Sequence, residues 1–202
     1  MGHAPLTKER ELWSAGYKAI GGIDEAGRGP LAGPVVAACV IMPEDRAFDG
    51  IYDSKKLTPK RRETIYNIIK QEACAIGIGR VDAKIIDEIN ILNATRKAME
   101  LAVKSCKIKP DYLLVDAMEL HNIYIPQISI VKGDILSQSI AAASIVAKVV
   151  RDREMMYWHR IYPQYGFDRH KGYGTKAHIN AIGKYGMCPI HRNSFSQKFV
   201  KR

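Results

Sequence analysis

Ile23-Asp24-Glu25-Ala26-Gly27-Arg28-Gly29-Pro30 decides how this chain is read. Residues 19–24 have the character of a strand, and Gly27-Arg28-Gly29-Pro30 is the turn signal that ends it. An acidic pair at the end of a buried strand needs a reason, because burying unpaired carboxylates is costly. Adjacent side chains of a regular strand point to opposite faces. Both acids therefore serve one site only where the strand ends or bulges at Glu25. Val35 to Met42 follows as a near-continuous apolar run with β-branched residues, the pattern of a strand covered on both faces.

Outward from this stretch, residues 5–16 read as a short leading helix. Thr58 followed by Pro59 starts a second helix, a capping hydroxyl before a proline at the first helical position, with Ile65, Ile68 and Ile69 on its apolar face. Ala73 to Val81 predicts a strand, and Thr95, Ala98, Met99, Ala102 and Cys106 recur at helical spacing. Asp82, Asp87 and Glu88 fit a solvated helix start. Tyr112 to Asp116 is a further strand, and Ile123 to Val131 is extended, with Pro126 marking an edge or a break. Leu136 to about Tyr157 is the longest helical stretch and is dense in alanine and serine. Thr175 caps a final helix ending near Gly186. This order predicts an α/β layered domain with a mixed sheet and a helical appendage from about residue 155.

The chain has 202 residues, 47% of them hydrophobic, enough for one domain with a real core. No apolar run approaches the roughly 20 residues of a membrane span, and the start of the chain lacks the apolar run of a signal peptide. A soluble, cytoplasmic protein is the expectation. Cys39, Cys74, Cys106 and Cys188 form no C-x-x-C pair and fit a reducing compartment. Cys39 and Cys74 read as small core residues. Cys188 and His191 have a ligand-like spacing, but a lone pair is half a zinc site and reads as a structural loop. The net charge of +10 attracts polyanions. Beyond Arg151, basic residues interleave with Tyr157, Trp158, Tyr162, Tyr165, Phe167, Tyr173 and Tyr185. This mixture suits phosphate and base contacts, and equally a solvated rim packed over a core.

Asp116 ends its strand as Asp24 does. If the two strands lie side by side and parallel, these acids emerge together. Spacing leaves other readings open: Asp116 as a turn residue, and Asp134 as the cap of the alanine-rich helix. Carboxylates meeting in one site require cations, and oxygen-only ligation suits Mg²⁺ or Mn²⁺. Two such ions fit phosphodiester hydrolysis.

Asp24 to Ala38 closely resembles the opening motif of ribonuclease HII, bacterial type. Five further segments match in order: Asp53 to Leu57; Val115-Asp116; Lys132-Gly133-Asp134; Ala142 to Val149 with Arg151-Asp152; and Lys171 to Thr175 with His178. The resemblance spans about residues 18 to 196. It implies a ribonuclease H-like fold, a mixed five-stranded sheet flanked by helices with a small C-terminal helical appendage. It divides the chain into a lead-in at 1–17, a catalytic domain at 18–155 and a substrate-binding region at 156–202. It implies an endonuclease, acting as a monomer, that cuts the RNA strand of RNA–DNA hybrids. It also implies cuts 5′ of single ribonucleotides in duplex DNA, leaving 3′-OH and 5′-phosphate ends. Asp24, Glu25, Asp116 and Asp134 match the family's metal-binding acids, with two Mg²⁺ or Mn²⁺ ions expected when substrate is bound. Gly27, Arg28 and Gly29 match its ribose-reading loop. Tyr173 matches a tyrosine that packs on the sugar following the ribonucleotide. Lys55 and Lys56, and less directly Ser54 or Ser144, are expected to meet phosphate. His170, His178 and His191 are expected to be structural, and Asp152 to pair with Arg151. One departure is Ala117, where many relatives have glycine after the third acid. Ribonuclease HIII carries an extra N-terminal domain, for which the residues before Asp24 are too few. Other nucleases of the fold lack the G-R-G loop with a later K-G-Y-G, and a non-catalytic hybrid-binding protein would not need four acids.

Overall fold

The computed structural model describes residues 2–200. Helix α1 (Thr7–Ser14) precedes strands β1 (Ile20–Ala26) and β2 (Val35–Ile41). Helix α2 (Pro59–Glu72), strand β3 (Ala75–Val81) and helix α3 (Ala83–Ser105) follow. Strands β4 (Tyr112–Asp116) and β5 (Gln127–Ile130) lead to a single turn, α4 (Gly133–Leu136), and to the long α5 (Gln138–Ile161). Three short helices close the chain: α6 (Phe167–His170), α7 (Lys176–Tyr185) and α8 (Asn193–Ser196). Five strands form one mixed sheet in the order β3-β2-β1-β4-β5. β1 is antiparallel to β2 and parallel to β4. Burial along β2 is complete, as its apolar run predicts.

Helices cover both faces of the sheet. On one side Ala38 and Val40 of β2 meet Ile65 and Ile69 of α2 and the alanines of α5. On the other, Ile23, Ala37 and Leu113 meet Ala94, Ala98 and Ala102 of α3. Small residues bring α5 close to the sheet. A Cβ on Gly22 would lie 2.1 Å from the Ser139 carbonyl carbon, so only glycine lets this helix rest on β1.

The caps follow the sequence. Thr58 accepts a bond from the Arg61 N–H, Asp82 from Ile85, and Thr175 from His178. Asp134 is not the cap of the alanine-rich helix: it sits inside α4, and Ser137 caps α5 by accepting from the Ile140 N–H. Buried Glu9 of α1 joins that cap, accepting from the Ser137 hydroxyl and the Ser139 N–H. Asn90, at φ +66°, interrupts α3 and caps its second half by accepting from the Asn93 N–H.

Three expectations need correction. Cys74 is exposed, because it stands just before β3 and outside the core. Asp87 is not merely solvated. It accepts from the N–H groups of Asn193 and Ser194 and anchors the last turns of the chain. Asp152 pairs with Lys148 at 2.7 Å and Arg62 at 3.7 Å, not with Arg151. Among the described residues, no helix is long and apolar enough to cross a membrane.

Ala117 keeps the left-handed turn that glycine would favour, at φ +47°. The residue is exposed, so burial does little to offset the strain, which is about 1–2 kcal/mol for an L-residue. Ala117→Gly is expected to raise stability by about 0.5–1 kcal/mol after the extra unfolded-state freedom of glycine is subtracted. Urea unfolding measures it, and a loss of stability would contradict the strain.

Candidate active site

Parallel pairing of β1 with β4 reaches its last rung at Ile23–Val115, so Asp24 and Asp116 leave the sheet side by side. Both lie on the α5 face, by alternation from Gly22 and from Leu114, which packs on Ile140. Glu25 faces the other way. The expectation that β1 ends or bulges there does not hold: β1 stays in unbroken register with β2 through Ala26. The opening is on the other edge. β4 stops at Asp116, so Glu25 has no β4 residue opposite it. Carboxylate oxygens of Asp24, Glu25 and Asp116 all lie within 4.8 Å of one another.

Asp134 adjoins this group on α4. Its carboxylate is 3.8 Å from the exposed Lys55 ammonium. The two elements are tied at the cluster itself, where Asp116 accepts from the Gly133 N–H at 2.8 Å. Arg28 lies 3.4 Å from Glu25. Ser144 of α5 bonds to Asp24, and its hydroxyl shares a buried 2.9 Å bond with Ser54. Both serines are buried, Ser144 against Asp24 and Ser54 against Ser144. Lys56 lies over the Tyr52 ring.

Burial holds the Asp24 carboxyl well above the ordinary carboxylate range, and the charges of Glu25 and Asp116 push it further. Burial, then Asp116, raises Glu25. Burial, then Asp134, raises Asp116. Each acid resists ionisation first because it is buried, and then because the others are close. A divalent cation relieves that conflict, and an all-oxygen donor set suits a hard one.

Next to the acids is the turn Gly27–Gly29. Gly27 has φ +100°, and a Cβ there would fall 2.1 Å from the Arg151 Nε, so no side chain fits. The half-exposed Tyr173 ring faces Gly29, where an added Cβ would come within 3.7 Å of it, and Lys148 and Arg151 are each 5.9 Å from the ring centre. The turn and the tyrosine, 144 residues apart in sequence, form one surface beside the carboxylates.

A chain of histidines supports the tyrosine. Cys188 N–H donates to His191 Nδ1 at 2.9 Å, which leaves the His191 proton on Nε2. That nitrogen is 3.0 Å from His178 Nε2, and His178 Nδ1 is 2.9 Å from the Tyr173 carbonyl. The bonds run in one direction only when both rings are neutral. Burial lowers both pKa values to about 4, which keeps them so. Cys188 and His191 thus form a structural loop.

The family model described as Ribonuclease HII matches residues 21–198. The chain belongs to the ribonuclease HII family. Ribonuclease HII of Acetivibrio thermocellus is 60% identical over 192 residues, covering 95% of this chain and 75% of that protein. That of Syntrophus aciditrophicus is 54% identical, covering 96% and 91%. Among solved structures, ribonuclease H2 of Pyrococcus horikoshii is similar with a TM-score of 0.73 and 28% identity, covering 89% of this chain and 96% of that one. The Archaeoglobus fulgidus RNase HII, solved as a complex with PCNA, has a TM-score of 0.76 and 25% identity, covering 91% and 97%. The protein is thus a hydrolase of the ribonuclease H class, acting on the RNA of RNA–DNA hybrids.

Sequence reasoning missed Arg192 and gave Arg151 only a pairing with Asp152, yet both arginines are fully buried. Arg151 left a signal: it continues the stripe Ala143, Ala147, Arg151, Met155 at spacing four, so a charge stands in a buried row. Arg192 left none, since no periodicity surrounds it.

The raised Asp24 pKa has a consequence for stability. A carboxyl whose folded pKa exceeds its unfolded value stabilises the fold below about pH 4, and loses that contribution as pH rises through the folded value. In chelator at pH 7, Asp24→Asn is expected to raise the Tm by about 2–4 °C per kcal/mol regained. The same substitution should remove most of the stabilisation that Mn²⁺ gives the native chain. Thermal melts at pH 5 and 7 measure this, and a variant less stable than the native chain in chelator at pH 7 would contradict it.

Proposed function

We propose that the chain hydrolyses the RNA strand of RNA–DNA hybrids and also cuts 5′ of single ribonucleotides embedded in duplex DNA, leaving 3′-OH and 5′-phosphate ends. The observation that carries this reading is the convergence of carboxylate oxygens of Asp24, Glu25 and Asp116 within 4.8 Å of one another, beside a glycine turn that Tyr173 faces. Asp24, Glu25, Asp116 and Asp134 would hold Mg²⁺ or Mn²⁺, two ions with substrate present. When bound, such ions supply an activated water and neutralise charge on the leaving oxygen.

The remaining work belongs to the chain's own residues. Gly27 and Gly29 bring backbone groups against the sugar without side chains of their own between, and the 2′-hydroxyl is what separates RNA from DNA. Tyr173 packs on the next sugar and bonds near the 2′-hydroxyl, which gives the RNA–DNA junction its preference. Lys55 balances Asp134 and, exposed as it is, also reaches toward a phosphate. Lys56 extends the same basic edge. The net charge of +10 draws the polyanion in, and binding weakens as salt rises. We place this activity in the cytoplasm and in a monomer.

The test is cleavage of a duplex with one embedded ribonucleotide, beside a long hybrid. Metal-dependent cuts with 3′-OH and 5′-phosphate ends are expected on both. Asp134→Asn is expected to lower turnover by about 100-fold or more while sparing hybrid binding. Binding without any cut in Mg²⁺ and in Mn²⁺ would overturn the enzymatic reading, and near-normal activity of the variant would remove Asp134 from the site.

A further inference from the structure

Arg151 and Arg192 are completely buried, yet neither meets a carboxylate. A buried guanidinium without a counter-charge is expensive, so its bonds must serve a purpose. All of them go to backbone carbonyls of two segments. Arg192 donates to Gly27, Arg28 and Gly33 at 2.6–3.0 Å. Arg151 donates to Ala32 and Pro34 in the same loop, and to Lys171 at 3.0 Å in the segment that carries Tyr173. Six carbonyls thus converge on two cations. Burial, and next the Arg151 charge, lowers the Arg192 pKa to about 9, which leaves it charged at neutral pH.

The direction of these bonds matters. In a trans peptide the N–H points opposite to the C=O. No peptide bond here is cis. With the Gly27 and Arg28 carbonyls drawn inward to Arg192, the N–H groups of Arg28 and Gly29 point outward, where both residues are exposed. A cation bound to the carbonyl polarises the peptide and strengthens its N–H as a donor. The loops are also joined directly: Leu31 N–H donates to the Gly172 carbonyl at 2.8 Å.

We propose that Arg151 and Arg192 are positioning residues for sugar recognition: Arg192 turns the Arg28 and Gly29 N–H groups toward the ribose, and Arg151 locks that turn against the Tyr173 segment. This rests on the sugar-reading role proposed above for the turn and the tyrosine. Neither arginine touches substrate, and their effect passes through the backbone they hold.

Arg→Lys keeps the charge but loses the planar fork that serves several carbonyls at once. Two ratios test it, each taken within one preparation, so the folded fraction cancels. The first is affinity for an RNA–DNA hybrid over the same DNA duplex, measured in Ca²⁺ without turnover. Arg192→Lys is expected to lower it about tenfold, while Mn²⁺ affinity at the acids stays within about twofold. The second is the cleavage of a single embedded ribonucleotide over that of a long hybrid. Arg151→Lys is expected to lower it about tenfold, and to lower it no further when Tyr173→Ala is already present.

Gly172→Ala probes the same locking without removing a buried charge. Its Cβ would fall 2.4 Å from the Ala32 carbonyl oxygen and pry the loops apart, so it must lower the second ratio too. An unchanged first ratio in Arg192→Lys overturns its half of the proposal. Additive loss in the Arg151→Lys, Tyr173→Ala pair, or an unchanged second ratio in Gly172→Ala, overturns the other half. If Tyr173→Ala alone leaves the second ratio intact, the tyrosine's role falls and takes the Arg151 half with it. The binding ratio still decides Arg192 in that case.

Discussion

Where β1 and β4 part, after the Ile23–Val115 rung, the sheet has an open end with one strand longer than its neighbour. Parallel pairing fixes Asp24 and Asp116 on one face there, and Glu25, beyond the last β4 rung, brings its carboxylate to the same cluster. Everything else at the site is arranged about that end. The alanine-rich α5 lies close because Gly22 admits it, and so Ser144 meets Asp24. The turn after β4 delivers the Gly133 N–H to Asp116, and with it Asp134. Carboxylates so close are unfavourable together, and that conflict makes the site a place for cations.

The second half of the site is a backbone surface. Gly27 and Gly29, in the turn after β1, leave peptide groups there without side chains of their own. A bare turn of this kind needs support from behind. Two buried guanidiniums and the C-terminal segment supply it, through bonds to carbonyls and through Asp87 and the histidine chain. The last forty residues therefore shape the site without contributing an acid to it.

Much of this is legible in the sequence, and the exceptions have physical causes. Strands and helix starts follow from apolar runs and from Thr58, Asp82 and Thr175, because these signals are local. The pairing of Asp24 with Asp116 follows from two acids ending two apolar strands. The route of Glu25 does not, because the free edge depends on where a partner strand stops. Asp134 looks like a cap until Ser137 is seen to do that work. The roles of Arg151 and Arg192 are hidden for a different reason: their partners are backbone carbonyls distant in sequence, and a carbonyl has no sequence signature.

The central claim is that three carboxylates at the open end of β1 form a cation site beside a sugar-reading turn. Anomalous X-ray diffraction from crystals soaked in Mn²⁺ tests it most directly. A peak is expected within coordinating distance of Asp24, Glu25 and Asp116. A peak elsewhere with none among these three side chains would contradict it.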